Sequence, residues 1–189
     1  MEKYEILPKL ARLSIAEEFE GKKLIDKNEW LEKYPWLAEE RATFVTLKMK
    51  DKPRGSNLRG CIGSILPYRP LIDDVIANAK AAAFEDPRFP PLTPEEFDRV
   101  KIEVSVLTIP EKVEYEDIAD LRSKIRPGVD GVILQLANHQ ATFLPAVWEE
   151  LPVFDLFFAH LCVKAGLPGD CLRYHPTIYR YQAIEVEEE

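Results

Sequence analysis

Cysteine, histidine, methionine and glycine are all scarce in this chain: three, three, two and eight residues out of 189. The cysteines stand at 61, 162 and 171, an odd count with no Cys-x-x-Cys spacing, which suits a reducing cytosol better than a disulfide framework. Whether Cys162 and Cys171 are bridged stays open at this level. With the histidines at 139, 160 and 175 and no His-x-x-x-His or Asp-x-Asp loop, the donors make a poor ligand set, so no metal site is expected. Glycine-rich phosphate loops of the P-loop and dinucleotide types are missing as well, and no cofactor is expected. Positive charge is in deficit, with 25 Lys and Arg against 33 Asp and Glu, a net charge of −8. That balance argues against nucleic-acid binding, although the Lys48–Arg59 stretch is locally basic. No apolar run reaches membrane-spanning length, because Asp155, His160 and Lys164 interrupt the longest, from Val153 to Ala165. The opening Met1-Glu2-Lys3-Tyr4-Glu5 lacks the basic-then-apolar order of a secretory signal, and a cytoplasmic protein is expected.

What is present describes an ordinary globular protein, 46% hydrophobic and 31% charged, with length for one well-packed domain. Few Asn and Gln beside many Glu, Lys, Arg and Pro lean towards a heat-stable source. Leu7 to Phe19 has the spacing of an amphipathic helix stopped by Gly21, and a second helix is expected from about Leu71 to Glu85. Ala42–Met49 alternates as a strand, and Asp51–Asn57 is rich in turn formers, so Leu58–Leu66 is predicted to return antiparallel. Thr93-Pro94-Glu95-Glu96 has the form of a capping box before a short helix, and Lys101–Leu107 is a strand. Gly131–Leu136 and Ala141–Leu144 form a second hairpin around a turn at Ala137–Gln140. Pro152–Ala165 is the most apolar helix, and residues 177–186 make one last strand. Antiparallel hairpins with interspersed helices define an α+β fold, mostly antiparallel sheet packed with helices. A smaller subdomain of about 110–145, inserted in a larger one, is expected.

The chemistry concentrates in Leu58-Arg59-Gly60-Cys61-Ile62-Gly63. In an unbroken strand Arg59, Cys61 and Gly63 share one face, with the first two Cα atoms about 6.5 Å apart. A guanidinium at that range favours the thiolate, and glycines leave room for another backbone or a ligand. A core strand with an inert cysteine reads as well from these residues. Glu103 alternates out of an apolar strand and could face Arg59 as general base or as plain salt-bridge partner. No spacing brings any histidine to Cys61. Asp86-Pro87-Arg88-Phe89 is a proline-stiffened loop. Either Arg88 pairs with Asp86 while Phe89 fills the core, or Arg88 joins Arg59 at a pocket for an anionic small molecule or a partner carboxylate. Asp73-Asp74 opens a helix, where acidic residues suit the dipole.

The hexapeptide resembles the hallmark of the AMMECR family. Asp86-Pro87-Arg88-Phe89 with Pro91-Leu92, Glu103–Leu107, Pro127–Val132, Ala141–Pro145, Val147-Trp148-Glu149 and Lys164–Leu167 follow in the family's order, so the resemblance spans about residues 5 to 185. Ser64 stands where relatives often carry Thr, and Ala146 where they often carry Gln. The resemblance implies one AMMECR-type domain of a larger and a smaller subdomain. It also implies a cytosolic protein acting with a Memo-like protein and a radical S-adenosylmethionine enzyme. Two functions follow as expectations. One is an accessory or binding component working through Leu58–Gly63. The other is a cysteine-dependent enzyme with Cys61, Arg59 and Glu103 as catalytic residues and a small anionic substrate. In both, Gly60, Gly63, Ser64, Arg88 and Phe89 are the binding residues.

Overall fold

The computed structural model describes residues 2–189, which form two compact units. The first runs to Leu107 and takes in Ile184–Glu189; the second is Thr108–Ala183, so it contains the 110–145 segment and continues well beyond it. Among the described residues there are six α-helices and two four-stranded antiparallel sheets, the expected α+β class. No helix is long and apolar enough to cross a membrane.

In the first unit the helices are α1 (Leu7–Glu20), α2 (Lys27–Lys33), α3 (Leu71–Phe84) and α4 (Pro94–Phe97). Its strands are β1 (Thr43–Met49), β2 (Leu58–Gly63), β3 (Val100–Leu107) and, from the far end of the chain, β8 (Ala183–Glu187). The sheet order is β2-β1-β3-β8. Burial alternates strictly along β1, with Val45, Leu47 and Met49 in the core and Phe44, Thr46 and Lys48 half-buried on the other face. Helix α1 buries Leu7, Leu10, Ala11 and Ile15 and stops at Gly21, which takes the left-handed conformation (φ 65°) and donates its N–H to the Glu17 carbonyl. Helix α3 lays Val75, Ala79, Ala82 and Ala83 into the same core, and its alanines allow the sheet to come close.

The second unit holds β4 (Glu111–Val113), α5 (Ile118–Lys124), β5 (Gly131–Leu136), β6 (His139–Phe143), α6 (Phe154–Lys164) and β7 (Thr177–Tyr181). Its sheet order is β4-β7-β5-β6. Phe157, Phe158 and Leu161 of α6 are fully buried, and Trp148 stacks on Phe157 at 3.7 Å. Asp130, fully buried, accepts hydrogen bonds from Arg126 and from the Gln182 amide. The β5–β6 turn is tighter than the sequence suggests: Ala137 enters the left-handed region (φ 53°), so His139 already belongs to β6. The single expected strand over 177–186 is two strands in two sheets. Gln182 separates them, its backbone N–H and C=O paired with the hydroxyl and N–H of Thr108.

Cys162 and Cys171 form a disulfide with both residues fully buried. This corrects the expectation that a low, odd cysteine count means reduced thiols; the pair ties α6 to the loop that follows it. Closing a loop of this length stabilises a fold by about 2–3 kcal/mol in the chain-entropy account. Replacing both cysteines by alanine is therefore expected to lower the unfolding free energy by about that amount. Chemical denaturation measures it, and an unchanged transition would show the bridge to be dispensable.

Candidate functional site

Strand β2 is an edge strand paired only with β1. Gly63 stands opposite Phe44, Ile62 opposite Val45, Cys61 opposite Thr46 and Gly60 opposite Leu47; the next pair is Leu58 with Lys48. Arg59 is the extra residue of a β-bulge, which redirects its side chain. The alternation of an unbroken strand fails here. Leu58 is exposed and Arg59 is buried, only 6% accessible, where the simple pleat would have kept Arg59 in step with Cys61.

The Arg59 guanidinium goes to Glu96. Nε and Nη2 donate to the two carboxylate oxygens at 2.5 and 3.1 Å, and Nη2 also donates to the Pro90 carbonyl at 2.8 Å. Glu96 closes the capping box of α4 as well, accepting the Thr93 N–H while the Thr93 hydroxyl accepts the Glu96 N–H. The hydrogen bond from Arg59 holds the Glu96 carboxyl below the usual carboxylate range against the opposing effect of burial. The expected influence of Arg59 on the sulfur is thus corrected: its charge is neutralised by a bidentate partner.

Cys61 is the one free cysteine and is half-buried. Burial pushes its thiol up, only partly offset by a hydrogen bond from the Thr46 hydroxyl at 3.3 Å and by the positive charge of Arg88. Asp86 and Glu103 push the thiol further up. Glu103 lies in the same cross-strand row, opposite Thr46 on the far side from Cys61, and accepts from Lys48 Nζ at 2.7 Å. It pairs with Lys48, not with Arg59 as expected, because the bulge has turned Arg59 away.

The Asp86–Phe89 loop closes the outer edge of β2. The Cys61 N–H donates to Asp86 Oδ2 at 3.0 Å, and Arg88 Nη2 reaches the Cys61 carbonyl at 3.4 Å. Arg88 also pairs with Asp86 through Nε and Nη2, which holds that buried carboxyl far below its ordinary range despite burial. Side chains thereby satisfy backbone groups that an edge strand would otherwise expose. Phe89 is half-buried and lies 5.5 Å from the Arg59 guanidinium and 5.6 Å from that of Arg88. The structure brings Arg59, Arg88 and Phe89 together, but each arginine already has its own carboxylate.

The glycines have separate reasons. A Cβ on Gly60 would meet the Ala82 carbonyl oxygen at 2.1 Å, so Gly60 is where α3 touches the strand. A Cβ on Gly63 would meet the Phe44 ring, which lies over it from the opposite strand. Ser64 donates to Asp74 Oδ1 at 2.8 Å. Asp74, fully buried, also accepts from the Thr43 N–H and hydroxyl, Arg69 and Asn78. Sequence reasoning misses this network and takes Asp74 for a dipole partner; the hydroxyl at 64 is engaged in joining the end of β2 to α3. It misses Glu96 too, although the place of that residue in the capping box is legible. The three histidines lie in the second unit, and among the described residues no group of His, Cys, Asp or Glu is placed to hold a metal ion. Neither of two clefts in the first unit, about 510 and 340 Å³, is lined by motif residues.

An α+β protein whose edge strand carries this hexapeptide is the class that fold and site define. Residues 8–186 match the AMMECR1 family profile, and the chain belongs to that family. It is 44% identical over 190 residues to a protein of Methanothermobacter thermautotrophicus, covering 97% of this chain and 93% of the relative. A protein of Thermococcus gammatolerans is 42% identical, with 98% and 90% covered. The crystal structure of Uncharacterized Protein PH0010 from Pyrococcus horikoshii superposes with a TM-score of 0.89 at 40% identity, over 100% of this chain and 92% of that one.

Because folding lowers the Glu96 carboxyl's affinity for a proton, its contribution to stability is complete above the ordinary carboxylate range and is lost as pH falls through the depressed value. Glu96→Gln is expected to cost about 2–3 kcal/mol at neutral pH. The gap from the parent protein should narrow as pH falls below the ordinary carboxylate range. Urea unfolding at several pH values checks this, and a gap that does not change with pH would contradict the ion pair.

Proposed function

We propose that the chain is an accessory, partner-binding component that works through Leu58–Gly63 and the Asp86–Phe89 loop, with no catalytic step at Cys61. The observation that carries this reading is the state of the sulfur. A nucleophilic cysteine needs a lowered pKa or an adjacent base. Here burial disfavours the Cys61 thiolate, and Glu103 is bound to Lys48. What the site offers instead is a surface of set shape. Leu58 is exposed, the Arg88 guanidinium is about half exposed, and Asp86 holds the backbone N–H groups of Cys61 and Arg88.

The family resemblance supplies candidate partners, a Memo-like protein and a radical S-adenosylmethionine enzyme, and a cytoplasmic setting. A buried disulfide is compatible with that setting, since intracellular proteins of heat-loving archaea commonly hold them, and the relatives above are archaeal.

Capture of a purified Memo-like protein by the immobilised chain tests the proposal. Binding is expected to survive Cys61→Ser and to weaken about tenfold or more in Leu58→Ser and Arg88→Lys, a loss of about 1.4 kcal/mol. Absence of capture by the parent chain would overturn docking to this partner. Loss of capture in a folded Cys61→Ser variant would return the sulfur to the centre of the function.

A further inference from the structure

One atom in the hexapeptide lacks what every comparable atom has. Among the described residues, Arg59 Nη1 is the buried side-chain nitrogen or oxygen with no hydrogen-bond partner. The residue around it is more than nine-tenths buried, and the other two guanidinium nitrogens are fully engaged by Glu96 and the Pro90 carbonyl. Buried donors are paired almost without exception, and an unpaired one calls for an explanation. This one lies on the bulge of an edge strand, directly after exposed Leu58.

Charge decides what kind of acceptor suits it. Arg59 is neutralised by Glu96, Arg88 by Asp86 and Lys48 by Glu103, while burial keeps the Cys61 thiol uncharged. An anion placed here would find Arg59 and Arg88 already compensated and would add its charge to the carboxylates of Glu96 and Asp86. A neutral oxygen meets no such opposition. The strand's own outward groups at Cys61 are taken by Asp86 and Arg88, so a partner cannot extend the sheet by laddering onto that residue. The side-chain donor left over there is the Arg59 guanidinium.

We infer that Arg59 Nη1 is reserved for the main-chain carbonyl of a docked polypeptide, with Phe89 as the side chain that moves to admit it. This rests on the docking reading above and specifies its chemistry. Phe89 is suited to that movement, because it lies against the guanidinium at 5.5 Å, is only half-buried, and holds none of the hydrogen bonds that fix Arg59. The acceptor is an amide oxygen, with Leu58 beside it for an apolar side chain of the partner.

The test is NMR of the Arg59 guanidinium signals in the full chain, titrated with three probes at constant ionic strength: a doubly capped triglycine peptide, acetate and inorganic phosphate. The peptide is expected to shift Arg59 and the Phe89 ring saturably, while acetate and phosphate do no more than chloride. Phe89→Ala leaves every hydrogen-bond partner of Arg59 in place, so it is expected to tighten peptide binding about threefold by removing the cost of moving the ring. Saturable shifts with either anion would overturn the inference in favour of an anion site. Shifts with none of the probes would reduce the donor to a water-bonded structural group. If capture of the Memo-like protein persists while the peptide neither shifts Arg59 nor competes, this inference fails and docking stands. If the peptide binds Arg59 but the protein is not captured, docking to that partner fails and the carbonyl site stands.

Discussion

The paired hydrogen bonds between Arg59 and Glu96 determine where everything else near the hexapeptide lies. A bulge in β2 releases Arg59 from the pleat, and the carboxylate at the third position of α4 holds it where the bulge has sent it. The same carboxylate caps its helix, so the start of α4, the Pro90 carbonyl and the edge strand are joined through one guanidinium. Glycine at 60 lets α3 approach this arrangement to backbone contact. Another carboxylate, the fully buried Asp74, ties the end of β2 to α3 through Ser64, Asn78 and Thr43. The strand is therefore fixed at both ends by polar networks and in the middle by Asp86.

That rigidity bears on function. A site prepared for covalent chemistry lowers the pKa of its nucleophile or places a base beside it. Around Cys61 the cations nearest the motif are each paired with a carboxylate, and burial disfavours the thiolate. Charge matching of this kind builds a firm surface and discriminates against charged ligands. The cations at the motif are thus already paired where a small anionic ligand is expected to bind.

Much of the fold is legible in the sequence because its signals are periodic and local. The alternation of Val45, Leu47 and Met49, the spacing of Leu7 to Phe19 and the Thr93–Glu96 box each match an element of the structure. The stretch over 177–186 reads as a single strand because both halves are rich in β-formers, and nothing in composition marks Gln182 as the residue where pairing changes sheets. The site is less legible. A bulge at Arg59 inverts face assignments that follow from period two alone, and only the cross-strand register reveals it. Glu96 lies 37 residues from Arg59, and Asp86 lies 25 from Cys61. Such pairings follow from tertiary contact. The disulfide likewise depends on the fold bringing 162 and 171 to bonding distance, which cysteine counting cannot supply.

The choice between the proposed docking role and a nucleophilic one is tested by the protonation of one sulfur. Absorbance of the Cys61 thiolate followed against pH in the folded chain, with Cys61→Ser as the blank and the disulfide intact, measures it directly. The expected midpoint lies above that of an ordinary thiol. A midpoint well below the ordinary value would contradict it.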